Sequence, residues 1–128
     1  MFRPRSGYSG FSVDDVAAAT SFYRDVLGLE IEVLVDGQMF RLRLPGGAAW
    51  VFVYGKPDHA PASYTVLNLV VDDVDAALDA LAERGLEPLH LGGYSDERGV
   101  MRGRSVDLGP DIAWFTDPAG NVFSVQQP

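Results

Sequence analysis

One long phrase occurs twice in this chain, and few folds accommodate that. FSVDDVAAATSFYRDVLGLEIEVL, residues 11–34, returns as LVVDDVDAALDALAERGLEPLHL, residues 69–91. Val13-Asp14-Asp15-Val16 aligns with Val71-Asp72-Asp73-Val74 at an offset of 58, and Gly28-Leu29-Glu30 aligns with Gly85-Leu86-Glu87 at 57. The helix of the second copy is therefore one residue shorter. The period is too long for a typical short solenoid unit, and two copies point to a duplicated supersecondary module.

Each copy has a local logic. Apolar-rich runs at about 8–13 and 64–71 read as strands. Asp14 or Asp15, and Asp72 or Asp73, suit helix starts, since a short carboxylate accepts the first free N–H groups and favours the positive helix end. Val16, Ala19, Tyr23, Val26 and Leu27 recur at helical spacing, as do Val74, Ala77, Leu78 and Leu81. Gly28 and Gly85 follow as stop signals. Further strands are expected over 29–35, 38–44 and 48–54, with a hairpin turn at Asp36-Gly37. In the second copy they are expected over 86–91, 111–116 and 121–126, the last two joined by Asp117-Pro118-Ala119-Gly120-Asn121. The fold class is α+β: two βαβββ modules in tandem within a single domain, residues 1–128. Module one covers about 8–54, the linker 55–63 and module two about 64–126. Residues 92–104 have no counterpart in the first copy and read either as a pocket lid or as a disordered insertion.

The chain has 128 residues, no cysteine and a net charge of −8. Its length suits one domain with a core of its own, and the missing thiols exclude disulfides and thiolate metal sites. That composition fits a reducing cytoplasm. Nucleic-acid binding needs a basic footprint, and none is visible. No apolar run reaches membrane-spanning length, and Met1-Phe2-Arg3-Pro4-Arg5 lacks the apolar stretch of a signal peptide. The acidity favours a cationic ligand.

FYRDVLGL at 22–29 and DPAGNVFSV at 117–125, together with the duplication, resemble the vicinal oxygen chelate superfamily. That family includes glyoxalase I, extradiol dioxygenases, fosfomycin-resistance enzymes and bleomycin-resistance binding proteins. The resemblance implies a mixed sheet curled around a cup, with the helices on its convex side. It also implies metal-ligand positions, which fall here on Tyr8, Val66, Ser124 and either Val51 or Val53. Divalent metals need nitrogen, anionic oxygen or thiolate donors, and valine has none. No metal and no other cofactor is therefore expected.

Strand alternation then assigns the cup. Tyr8, Gly10 and Ser12 face it, with Phe11 and Val13 behind. Val66, Asn68 and Val70 face it in module two, as do Val122, Ser124 and Gln126. Met39, Arg41 and Arg43 oppose the helix-facing Phe40, Leu42 and Leu44, and His90 opposes Leu89 and Leu91. Val51 or Val53 completes the lining, and Tyr94, Val100 and Met101 are placed to close over it. Trp50 and Trp114 are read as core or interface residues. An apolar hollow with a few polar handles is the composition of a small-molecule pocket. The leading expectation is a metal-free binding protein like the bleomycin-resistance branch, sequestering a cationic or aromatic ligand and acting as a homodimer. The alternative is a lyase, isomerase or oxygenase that uses unusual metal ligands, or acid–base chemistry at Tyr8, His90 or an arginine. A third reading is a regulatory or assembly partner with a vestigial pocket.

Overall fold

The paired aspartates act alike in both copies. The computed structural model describes all 128 residues, Met1–Pro128, and divides them into two compact units, Met1–Ala60 and Pro61–Pro128. In each unit it is the second aspartate that caps the helix. Asp15 accepts the Ala18 amide at 3.0 Å, and Asp73 accepts the Ala76 amide at 3.1 Å. Both cap residues are extended, so the preceding strand turns directly into a helix. Gly28 and Gly85 end the helices at φ 66° and 79°, a region where a Cβ is strained.

The first unit runs β1 (Ser9–Val13), α1 (Val16–Ser21, continued by a wider turn over Phe22–Val26), β2 (Glu30–Val35), β3 (Met39–Arg43) and β4 (Trp50–Gly55). Its sheet has the order β1-β4-β3-β2, parallel between β1 and β4 and antiparallel elsewhere. The second unit runs β5 (Thr65–Val70), α2 (Val74–Glu83), β6 (Val100–Arg102), β7 (Asp111–Thr116) and β8 (Val122–Gln127), ordered β5-β8-β7-β6. The expected α+β class and duplicated module are present. No helix is long and apolar enough to cross a membrane.

The change of offset between the copies has a physical cause. In the first helix the Leu27 amide reaches back five residues to the Phe22 carbonyl, at 3.1 Å. That π turn holds one extra residue. It lets two adjacent aromatics, Phe22 and Tyr23, both bury, and their rings meet edge to face at 5.2 Å. A regular α-helix turns neighbours about 100° apart and would aim only one squarely at the core.

The expected strand over 86–91 does not form. Pro88 has no amide hydrogen, so a ladder cannot run through it. Only the Leu89 amide reaches the sheet, donating to the Trp114 carbonyl at 2.8 Å. The outer place beside β7 goes instead to Val100–Arg102, inside the segment expected to be a lid or a disordered insertion.

The cores lie between helix and sheet. Val13, Phe40, Leu42 and Val53 are fully buried in the first unit, and Val74, Val100, Phe115 and Phe123 in the second.

Candidate functional site

Register decides which residues of the first sheet share its open face. Val51 pairs with Ser9 and Leu42, and Val53 with Phe11 and Phe40. Both valines are buried, at 4% and 0% exposure. Both pack into the core; Val51 still borders the groove on the open face, whereas Val53 does not. The bulkier alternates Trp50, Phe52 and Tyr54 occupy that face, because the slim β-branched side chains fit beneath the helix.

Five expected residues are brought to one surface: Tyr8, Ser12, Met39, Arg41 and Arg43. Tyr8 stacks on Phe52, with centroids 4.0 Å apart and planes at 21°. Gly10 permits this close sheet, since a Cβ there would come within 3.0 Å of the Phe52 carbonyl oxygen. Arg41 lies over the Trp50 ring at 4.0 Å and Arg43 at 5.1 Å. Arg41 donates through Nε and Nη2 to the same Glu32 oxygen, at 3.0 and 2.6 Å. Arg43 is held more loosely, 3.6 Å from Glu30. Each guanidinium-on-indole contact contributes about 0.5–1 kcal/mol at such half-exposed positions. At the other end of the strands, the Ser12 hydroxyl and His59 Nδ1 are 2.7 Å apart.

An open groove of about 620 Å³ runs along this face, bordered by Tyr8, Arg41, Ala48, Ala49, Trp50 and Phe52. A larger depression, about 860 Å³, lies where the helix begins and is bordered by Asp14, Asp15, Met39, Tyr54, Lys56 and Pro57. It presents one ring, two carboxylates, of which Asp15 already caps the helix, and Lys56, so it offers less to a flat molecule.

In the second unit Asn68 and Ser124 are opposite each other in register. The Ser124 hydroxyl donates to Asn68 Oδ1 at 2.6 Å, and Gln126 Nε2 donates to the same oxygen at 2.9 Å. Val66 falls at a break in register between Thr65 and Leu67 and is half-buried. Met101 pairs with Ile112, which pairs in turn with Gln126, so it shares the Asn68 face three strands away, at the opposite edge of the sheet. His90 and Tyr94 are exposed and lie outside the strands.

The segment from Asp96 to Arg104 is pinned by charge. Arg102 grips both oxygens of Asp75 on α2, at 2.8 and 2.9 Å, and Asp96 at 2.9 Å. Arg98 bonds Asp75 and Asp79. The Arg102 hydrogen bonds hold the Asp75 carboxyl below the usual range. Burial works against the Asp96 charge, but hydrogen bonds from Arg102 and from the Val100 and Arg98 amides outweigh it, and that carboxyl is lowered too.

The DPAGN turn is likewise structural. Asp117, almost fully buried, accepts the Ala119 and Asn121 amides at 3.0 and 2.8 Å. Asn121 Oδ1 accepts the Ala62 amide at 3.0 Å.

A divalent metal does not fit the side chains at the four inferred positions. Tyr8 offers a single phenol oxygen, Val51 and Val53 are core hydrocarbons, Val66 has no donor atom, and the Ser124 hydroxyl donates to Asn68, so no set of several ligands is present. No group of three or more His, Asp or Glu side chains converges elsewhere.

The residues that sequence reading underrated are Trp50 and Phe52. Their signal was the aromatic–valine alternation of Trp50-Val51-Phe52-Val53-Tyr54, which marks one face for rings and the other for packing.

Solved structures of similar architecture span several activities. TnmS3, an antibiotic binding protein from Streptomyces sp. CB03234, is 27% identical, with 99% of each chain covered and a TM-score of 0.65. A lactoylglutathione lyase from Agrobacterium tumefaciens is 22% identical, covering 97% of this chain and 94% of its own, with a TM-score of 0.69. FosX, a fosfomycin resistance protein from Listeria monocytogenes, is 14% identical, covering 99% and 95%, also at 0.69. No curated protein matches the chain. The family profile covers residues 6–125, both modules and both motifs, and with the tandem βαβββ topology it places this chain in the Glyoxalase/Bleomycin resistance protein/Dioxygenase superfamily.

Proposed function

We propose that the protein binds a small, flat organic molecule and leaves it chemically unchanged. One observation carries this reading. The open face of the first sheet presents Tyr8, Phe52 and Trp50 rings with guanidinium groups beside them. Rings supply stacking area at low entropic cost, and few polar groups suffice to orient a ligand. The 27% identity to an antibiotic binding protein supports the same reading.

Calorimetric titration with a panel of flat aromatic natural products tests it, followed by mass spectrometry of the recovered ligand. Saturable binding with the compound returned intact is the expected result. Conversion of the compound overturns the proposal, as does stoichiometric metal whose removal abolishes binding.

The reading includes a homodimer in a reducing cytoplasm. β2 is an uncovered sheet edge with Val33, Leu34 and Val35 exposed, a surface that a second copy can cover. Sedimentation velocity giving only monomer removes that part.

A second reading, metal-free acid–base chemistry, is favoured by the Ser12–His59 contact, since a hydroxyl beside an imidazole is an activatable nucleophile. It requires turnover of some substrate that His59→Gln abolishes.

A further inference from the structure

The whole chain is acidic, at −8, yet the charge bordering the groove has the opposite sign. Of the side chains lining it, Arg41 alone is ionised, and no carboxylate borders the space. Glu32 neutralises part of that charge from the side. Its two bonds take Arg41 Nε and one proton of Nη2 on a single oxygen, so the Nη1 edge is uncommitted to it. The Glu32 side chain is 49% exposed, whereas Arg41 is 29% exposed and lies over the Trp50 ring at 4.0 Å. The carboxylate is therefore the better screened of the two, and the stacked guanidinium keeps a fixed plane with donors at its rim. Arg43, 5.1 Å from the same ring, is a second guanidinium on that side of the sheet, held loosely 3.6 Å from the exposed Glu30.

A molecule in this groove meets rings along one wall and planar N–H donors at the end of it. An ammonium group would meet Arg41 in a space without a compensating carboxylate. A carboxylate on a flat ring would place its ring along Phe52 and Trp50 and its oxygens at the Arg41 rim, where charge-assisted bonds are about twice as strong as neutral ones. We infer that the groove selects planar aromatic anions, arene carboxylates in particular, over cations of the same shape. This rests on the proposed ligand-binding role of the same face and narrows it to one charge class.

Three naphthalene probes of matched shape test it: naphthoate, naphthamide and naphthylmethylammonium. Trp114→Phe leaves Trp50 as the only indole, so quenching of its emission reports the groove itself. Naphthoate is expected to bind at least about tenfold more tightly than the cation at low salt, with the amide between them. Arg41→Gln should erase the difference, and Arg41→Lys should restore part of it. Circular dichroism of each variant checks that the sheet is intact. If Arg41→Gln fails to fold, loss of the naphthoate preference in wild type as salt is raised serves as the second readout. Equal or tighter binding of the cation overturns the charge inference and leaves the binding role standing. No saturable quenching by any of the three overturns both. A naphthoate preference that survives Arg41→Gln and high salt also overturns the assignment to Arg41.

Discussion

Asp117 is an ionisable side chain kept almost entirely from water, and the turn around it depends on that. Its Oδ1 holds the Ala119 and Asn121 amides, and Asn121 ties the same turn to the Ala62 amide. Removing a buried acceptor costs the desolvation of the groups left behind. Asp117→Ala should therefore lower unfolding free energy by about 2–3 kcal/mol, read as a lower urea midpoint at unchanged slope. Asp117→Asn keeps an acceptor and should cost less than half of that. Gly10 works by the opposite means, a missing side chain. Gly10→Val should crowd the Phe52 carbonyl, push β1 from β4 and destabilise by about 1–3 kcal/mol, measured in the same titration.

At the scale of elements, β6 is three residues long and owes its place to Arg102. Arg102→Met should free the 98–104 segment and speed tryptic cleavage after Arg98 or Arg104 up to about tenfold, as local opening becomes easier. The pH dependence has a definite sign. Asp75 and Asp96 are lowered from an ordinary 3.8, so their contribution is full above that value and is lost as pH falls through the lower folded one. Amide chemical shifts of Arg98 and Val100, both donors to Asp96, should stay flat from neutral pH to about pH 4 and titrate below it. Deleting Arg24, an exposed residue inside the π turn, should make the first helix match the second. It would also turn one of Phe22 and Tyr23 away from the core, for a drop in melting temperature on the order of 10 °C. Much of this layer was legible in the sequence. Capping aspartates, glycine stops and the Asp-Gly hairpin all act within a few residues, where local chemistry decides. Residues 86–91 misled because Leu89 and Leu91 carry a strand's pattern while Pro88 breaks its ladder. β6 was hidden because its stability comes from Asp75, some 25 positions upstream. The site was legible for Tyr8, Arg41 and Arg43, whose own strands alternate clearly. The facing of Val51 and Val53 was not legible, because it depends on pairing with Ser9 and Leu42 for the one and with Phe11 and Phe40 for the other.

Across the molecule, surplus negative charge governs behaviour more than fold. Solubility should pass through a minimum near pH 4.5, where net charge vanishes, and recover on either side; light scattering across that range checks it. The groove's rings, by contrast, depend on one slender support. Tyr8 stands just ahead of the first residue of β1, is 70% exposed and rests on Phe52, so it is a page held at one corner. Anything fused ahead of Met1 hangs from the short stretch leading to that page. A leader left in place there after purification will blur the measurement it was meant to enable.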